Sequence, residues 1–562
     1  MAQARQLTEA AQRRRPGALW PLPRHGTVGV AWARSAGRAA AAGRLGRRWL
    51  LAGRATGGQA GGRASGLARQ PEGARARCGW RDTVHHYHLS YKSNLLVDTH
   101  TELLSNARYE PVGRKMASVN PCNGNDWHVR VVSRRLVKAS DTSIKPHVVT
   151  VSNLDRVARN IQISMFCVYA KPPTGDIDAV VAAFEDGLPP FLNHFFLLTG
   201  RIATANTSSG APEVHCNNQG AELVVGEAAG VALASLDYAA MGAPLQSVQV
   251  PYGEDVALSV QVVSFACGGF TVAWRTNHAV VDVCALSSLV TAWSEFTRSG
   301  TTAAVLPNYD RSVFRPRAPP SYAAASLDEM FTPLDARRQV NALTADQSSR
   351  ATRVQAVSAY LWKALAGVVG AADPRCRMGW WVNGRRRLTA PPELVAAMRN
   401  YFGNVITYAG AEASVRDLLR MPLPEVAAMV REAIAAPAYG EHTQELVDCV
   451  EDHKAERHIL AASIGLGSPT VIITAFTSFR VDTDFSFGHA VMAMPTTVRT
   501  ARLCSGFLQI MERPGGDGSW MVSAFVWPRL AAALEADEPR VFKPLTAERL
   551  GLFAPQVPRS RI

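Results

Sequence analysis

The residues of this chain best equipped for chemistry are His278 and Asp282, which bracket the word His-Ala-Val-Val-Asp. A neutral imidazole takes up a proton near pH 7, so it can deprotonate a hydroxyl or amine as that group attacks a carbonyl. The nearby carboxylate serves either to orient the ring or to hold structure. A second word, Asp484-Phe-Ser-Phe-Gly488, contains no strong nucleophile. An acid, two apolar rings and a closing glycine describe a shaped turn. With fourteen histidines in 562 residues, one His-x-x-x-Asp arises easily by chance, so the flanking elements decide what the first word can do.

Those elements read as a β-hairpin followed by a helix. Residues 255–265 (DVALSVQVVSF) are rich in Val, Leu and Phe, Gly268-Gly269 supplies a turn, and residues 270–277 (FTVAWRTN) form a second β-type run. His278 therefore falls where a strand stops, held by rigid backbone and free to face a cleft. From Asp282 the period changes: Leu286, Leu289, Val290, Trp293 and Phe296 recur at three- and four-residue spacing, which predicts an amphipathic helix with Asp282 near its positive end. The hairpin alone leaves two readings open, a general base at a cleft and a core histidine with a satisfied ring.

Four further words occur in order with these two: Val151-Ser-Asn-Leu-Asp155, Leu198-Thr-Gly-Arg201, Gln355-Ala-Val-Ser-Ala-Tyr-Leu-Trp362 and Tyr401-Phe-Gly-Asn404. From about Val129 onward the chain resembles the plant BAHD acyl-CoA-dependent acyltransferases, a family marked by HxxxD and DFGWG in this order. The resemblance implies an α/β fold of the chloramphenicol-acetyltransferase type: two similar-sized domains with mixed sheets and a channel between them. It implies acyl transfer from coenzyme A to an amine or alcohol, with acyl-CoA as co-substrate, no permanently bound cofactor and no metal. His278 is then the base, which takes the acceptor's proton and returns it to the departing sulfur. No covalent acyl-enzyme is expected, and no Gly-x-Ser-x-Gly elbow occurs. Asp282 is implied to be structural, paired with Arg385 of the Asn383-Gly-Arg-Arg-Arg387 stretch. Asp484, Phe487 and Gly488 are likewise structural, shaping a turn near the CoA channel. Tyr401 and Asn404 are carried over as substrate-binding, with Asn404 a candidate for stabilising the oxyanion. The grass-type wording of residues 477–484 implies a hydroxycinnamoyl or related aromatic acyl group.

Several positions depart from the family pattern. Val283 stands where Gly usually follows the HxxxD Asp, so crowding beside His278 is expected. Ser486 and Phe487 replace the middle Gly and Trp of DFGWG, and Ser is less suited than Gly to positive φ. Leu197 replaces a common Pro. Between Leu343 and Val354, where relatives carry a strand and a helix, only residues 344–352 are present, so the second domain is expected to lose a packed element. A catalytically impaired relative is therefore the alternative function.

Composition sets the frame. A chain of this length, 47% apolar, can bury two cores. No run of eighteen apolar residues is present, which predicts no membrane span. Nine scattered cysteines without CxxC pairs predict reduced thiols. Residues 1–81 hold 16 Arg, no Lys and only Glu9 and Glu72, a net of +14 that equals the charge of the whole chain. The remainder is neutral, and the basic part lacks aromatic interleaving, so no nucleic-acid partner is expected. The predicted division is a disordered extension over 1–115, a domain carrying HxxxD over 116–335, a shortened linker over 336–353, and a domain carrying the DFGWG-like loop over 354–562. The extension reads as an upstream addition to a protein starting at Met116, adding no core, or as a transit peptide. A cytoplasmic monomer is expected in the first case and chloroplast import in the second.

Overall fold

The computed structural model describes residues 91–97 and 127–553, apart from 159–160, 174, 205–210, 240–246, 302–305, 324–326, 328–330, 333–350, 455–458, 461–467, 480, 482, 498–503, 516–517 and 538–540. All of them lie in one compact unit, Arg81–Ile562. The rest of the 1–115 extension and most of the shortened 336–353 linker fall outside the described residues.

Two mixed sheets organise the unit. The first is built from β2 (Arg130–Val137), β4 (Gln162–Tyr169), β7 (Ala221–Ala228), β8 (Ser259–Phe265), β9 (Phe270–Asn277) and β15 (Met492–Thr497), in the order β15-β4-β9-β8-β7-β2. Strands β8 and β9 form the expected antiparallel hairpin, turning at Gly268 with φ of 77°. Every residue of β9 is buried, because it is a central strand covered on both faces. Its Trp274 meets Phe184 of helix α2 (Ile177–Phe191) and Trp293 of helix α3 (Val283–Ser299), with ring centroids 5.9 and 5.7 Å apart. The periodicity seen after Asp282 is this contact face of α3.

The second sheet has seven strands: β1 (Tyr91–Val97), β11 (Arg375–Asn383), β12 (Ile406–Ser414), β14 (Thr470–Ala475), β16 (Gly506–Glu512), β17 (Trp520–Val526) and β18 (Phe542–Pro544), in the order β12-β11-β14-β16-β17-β1-β18. Helix α4 (Arg353–Val369), which carries the Gln355–Trp362 word, lies on it; Trp362 is fully buried, and Ser358 accepts a hydrogen bond from Trp380 of β11 at 3.0 Å. The stretch Arg353–Ala372 is long and apolar enough to cross a membrane by length and composition, although Gln355, Ser358 and Lys363 interrupt its apolar run, and most of it is core here. Two small sheets are also present among the described residues. One holds β3 (His147–Thr150), β5 (Arg201–Ala203) and β6 (Glu213–Cys216); the other pairs β10 (Phe331–Thr332) with β13 (Ile459–Leu460).

Two expected boundaries are corrected. Strand β15 belongs to the 354–562 segment yet pairs antiparallel with β4 of the first sheet, so that segment crosses back over the cleft. Strand β1 belongs to the 1–115 extension yet lies between β17 and β18, paired with β17 along all seven residues and with β18 along three. The extension therefore supplies backbone partners to the very sheet that was expected to be short of a strand. Along this stretch the composition reading failed because edge groups of β17 and β18 need hydrogen bonds whatever side chains their partner bears. A chain beginning at Met116 is expected to lose about 3–6 kcal/mol of stability, the net worth of several ladder bonds. Thermal melting of the two chains checks this; equal midpoints would return β1 to the status of a dispensable extension.

Candidate active site

Strand β9 ends at Asn277, whose side-chain oxygen accepts from the Ala279 N–H at 2.9 Å and turns the backbone. The His278 N–H then donates to the Ile161 carbonyl at 2.8 Å. Its ring nitrogen Nδ1 lies 3.1 Å from the Val281 carbonyl oxygen. A carbonyl only accepts, so Nδ1 carries the hydrogen and Nε2 keeps its lone pair. Burial holds the imidazole below its ordinary pKa of 6.5, opposed by the charge of Asp282, the Val281 carbonyl and Asn404. The ring is neutral at pH 7 with one defined basic nitrogen.

His278 lines a cavity of about 130 Å³ between the two sheets. Its walls are mostly apolar: Ile161 and Ile163 on one side, Trp381, Phe476, Phe479 and Phe507 on the other. Among its polar lining residues are Asn383, Thr474, Thr496 and Gln509. Thr474 and Gln509, on β14 and β16, were not singled out from the sequence. Each sits in an ordinary β-run whose alternation marks it as buried without revealing the cleft it faces.

Asp282 is the N-cap of α3, accepting from the Ala285 N–H at 2.9 Å. Its carboxylate takes a two-pronged contact from Arg385, at 2.6 and 3.1 Å, and accepts the Val405 N–H at 3.1 Å. Both side chains are over nine-tenths buried. Arg385 also donates to the carbonyls of Tyr401 (3.2 Å) and Gly403 (2.6 Å). With its oxygens occupied this way, Asp282 joins the halves of the cleft, while the ring nitrogen of His278 is oriented by a backbone carbonyl. A lone word His-x-x-x-Asp would have suggested a triad instead.

Tyr401 and Asn404, expected as substrate contacts, are not among the residues lining this cavity. Both are buried. Asn404 is spent on structure: its Nδ2 donates to Asp155 Oδ1 at 2.9 Å and to the His278 carbonyl at 2.8 Å, and its backbone N–H donates to Asp155 at 2.8 Å. Those donors leave none for an oxyanion. The Tyr401 ring lies near two guanidiniums, those of Arg311 at 5.2 Å and Arg385 at 6.0 Å. Arg311 pairs with the buried Asp155 at 2.9 Å and donates to the Phe402 and Val280 carbonyls at 2.7 and 3.1 Å. A Cβ on Gly403 would come within 2.8 Å of the Arg311 guanidinium carbon, so the glycine of Tyr-Phe-Gly-Asn makes room for that cation. Three separate words, VSNLD, HxxxD and YFGN, thus converge on one buried network. Arg311 and its role were missed, since nothing local distinguishes it from a surface arginine.

The Asp484–Gly488 loop inserts Phe485 into the core around the first sheet, while Ser486 is exposed. Phe485 makes edge contacts with Tyr169 and Phe184, both at 5.3 Å. Asp484 Oδ1 accepts from the Ser486 and Gly488 N–H groups at 2.9 and 3.2 Å, and the Asp484 carbonyl accepts from Ser294 of α3. Phe487 packs 5.5 Å from Phe485, and Gly488 has φ of 94°. None of Asp484, Phe487 or Gly488 lines the cavity. Ser486 does adopt the left-handed turn, with φ of 79°. Such a conformation costs a non-glycine residue about 1–3 kcal/mol. Ser486→Gly is expected to raise stability by about 1 kcal/mol and to leave turnover unchanged. A melting temperature that falls or stays put in that variant would show the turn to be unstrained.

Two other departures fit without visible disruption. Leu197 is buried in a short 3-10 turn, Phe196–Thr199. Val283, the first residue of α3, lines the cavity beside His278, so its methyl groups narrow reaction space while the Nδ1 contact of His278 stays in place.

The model of the Transferase family matches residues 127–529. The chain belongs to that family, the plant BAHD acyltransferases. Within it the chain is 27% identical to a putrescine hydroxycinnamoyltransferase of Oryza sativa subsp. japonica over 453 residues, 71% of this chain and 96% of that protein. It is also 27% identical to tryptamine benzoyltransferase 2 of the same species, over 70% of this chain and 91% of that one. Among solved structures, vinorine synthase superposes with a TM-score of 0.50 at 22% identity, over 76% of this chain and 98% of that chain. The F. graminearum TRI101 complex with coenzyme A and T-2 mycotoxin superposes with a TM-score of 0.58 at 13% identity, over 70% and 98%. These likenesses establish the mixed α/β, chloramphenicol-acetyltransferase-like fold that the motifs implied.

Proposed function

We propose that this BAHD protein transfers an aromatic acyl group, of the hydroxycinnamoyl or benzoyl kind, from coenzyme A to an amine or alcohol. The observation that carries the reading is His278, its Nδ1 held by the Val281 carbonyl, lining a cavity walled by Trp381, Phe476, Phe479 and Phe507. Aromatic walls suit a planar acyl chain. In the proposed reaction Nε2 takes the acceptor's proton as its nitrogen or oxygen attacks the thioester carbonyl. A new C–N or C–O bond forms, the C–S bond breaks, and the imidazolium returns its proton to the leaving sulfur. Asp282, Arg385, Asp155 and Arg311 hold the backbone that aims His278. Thr474 and Gln509 are the fixed polar groups on the facing wall that suit a developing oxyanion. The curated relatives support this acceptor and donor chemistry, since their names pair hydroxycinnamoyl or benzoyl groups with putrescine and tryptamine.

An impaired relative is the second reading, favoured by Val283 at the cavity wall. Mass spectrometry of products from a panel of aromatic and short-chain acyl-CoAs, each offered with diamine, arylalkylamine and alcohol acceptors, separates the two. A new acyl-amine or acyl-ester mass dependent on an aromatic acyl-CoA supports transfer. Absence of product from every pair in a folded, monodisperse sample would favour the impaired reading.

A further inference from the structure

The charge of the reaction cavity limits what can enter it. Asp282 is the only carboxylate among the described residues that line it, and both of its oxygens are taken. Oδ2 accepts from Arg385 at 2.6 Å and from the Val405 N–H at 3.1 Å; Oδ1 accepts from Arg385 at 3.1 Å and from the Ala285 N–H at 2.9 Å. A carboxylate oxygen has two lone pairs, so each is filled. The other polar residues of the lining, Asn383, Thr474, Thr496 and Gln509, are uncharged. Burial pushes the two remaining titratable groups, the His278 imidazole and the Cys284 thiol, toward their neutral forms. The opening beside this cavity shares Cys284, Asn383 and Phe479 with it; Arg385, Arg386 and Arg399 line that opening and, among the described residues, no carboxylate does. A cation therefore meets apolar walls on one side and positive charge on the other.

We propose that the acceptor is uncharged apart from its reacting group, a primary monoamine or an alcohol on an apolar body, and that short diamines are discriminated against. The proposal rests on the acyl-transfer reading above and narrows the acceptor class for the same site. The reacting nitrogen must in any case be neutral, since only its lone pair attacks the thioester carbonyl. In a monoamine that is the only charge to lose. A short diamine brings a second ammonium into the cavity, where burial without a counter-ion forces it to shed its proton as well. With an amine pKa of about 10.4, a neutral nitrogen is present in roughly one molecule in 10³ at pH 7, so the second deprotonation is expected to cost a diamine about 10²- to 10³-fold in kcat/KM. An alcohol carries no charge in this range and escapes both penalties.

Initial rates of the full chain with benzoyl-CoA and three acceptors of equal heavy-atom count, pentylamine, putrescine and pentanol, test this as the pH is raised from about 7 to about 9. The logarithm of kcat/KM is expected to rise with pH at a slope of about one for pentylamine, about two for putrescine and about zero for pentanol. The Thr496→Asp variant places a carboxylate on the cavity wall. It is expected to lower the putrescine slope to about one and to narrow the gap between putrescine and pentylamine about tenfold or more. A putrescine slope of one in the unaltered chain, with kcat/KM matching that of pentylamine, would overturn the proposal and leave acyl transfer standing. A gap of undiminished size in a Thr496→Asp protein that melts like its parent would also overturn it, because a missing counter-charge would then not be the cause. Absence of product with all three acceptors and across the wider acceptor panel would overturn the acyl-transfer reading itself.

Discussion

His278→Ala is expected to lower the acyl-transfer rate by about 10²- to 10⁴-fold, the usual worth of a positioned general base. The fold should survive, because the Nδ1 contact of the ring is to a backbone carbonyl, that of Val281, and its neighbours hold the turn through backbone contacts. The pH profile gives an independent check. Burial lowers the imidazole pKa below 6.5, so the acid limb of kcat/KM is expected to bend below that value, with full rate retained above it. The sign for stability agrees: the folded chain binds fewer protons than the unfolded one below pH 6.5, so acidification through that window weakens the fold. A variant that retains turnover, or an acid limb above 6.5 that His278→Ala leaves in place, would remove His278 from the chemistry.

The second large effect falls on stability. Asp282→Ala strands the buried Arg385 guanidinium, an error that typically costs about 3–5 kcal/mol. It also removes the N-cap of α3, worth about 1 kcal/mol. Asp282→Asn keeps a capping oxygen and loses only the charge, so the difference between the two variants separates these contributions. Chemical denaturation of both gives the numbers. If the Ala variant keeps its midpoint and loses only rate, the carboxylate acts on His278 and the cross-cleft clamp is not its main work.

The local reading of the hairpin and helix succeeded for a definite reason. Strand alternation, the Gly268-Gly269 turn and the three-four repeat after Asp282 are short-range properties, and they suffice to place an imidazole at a strand end and a carboxylate at a helix start. The remaining site depends on contacts between distant residues. Asn404 reaches Asp155 across 249 positions, and Arg385 reaches Asp282 across 103. Periodicity carries no information at such separations. Arg385 was found only through the resemblance, and the Asp155–Arg311 pair was not found at all. Ser486 shows the opposite error: its side chain argued against positive φ, yet Asp484 Oδ1 accepts its N–H and Phe485 anchors the loop, so tertiary contacts override a propensity worth about 1–3 kcal/mol. Strand β1 shows it again, since unmet backbone groups of β17 and β18 recruit a segment that composition had set aside. Unaided, the sequence placed a histidine at a strand end and a carboxylate at a helix start, and the resemblance supplied the acyl-transfer reading. Only the tertiary structure decided that Tyr401 and Asn404 stand away from the cavity and that Thr474 and Gln509 line it, and it gave the Asp282–Arg385 pair its geometry, because burial and charge pairing are settled between elements rather than along them.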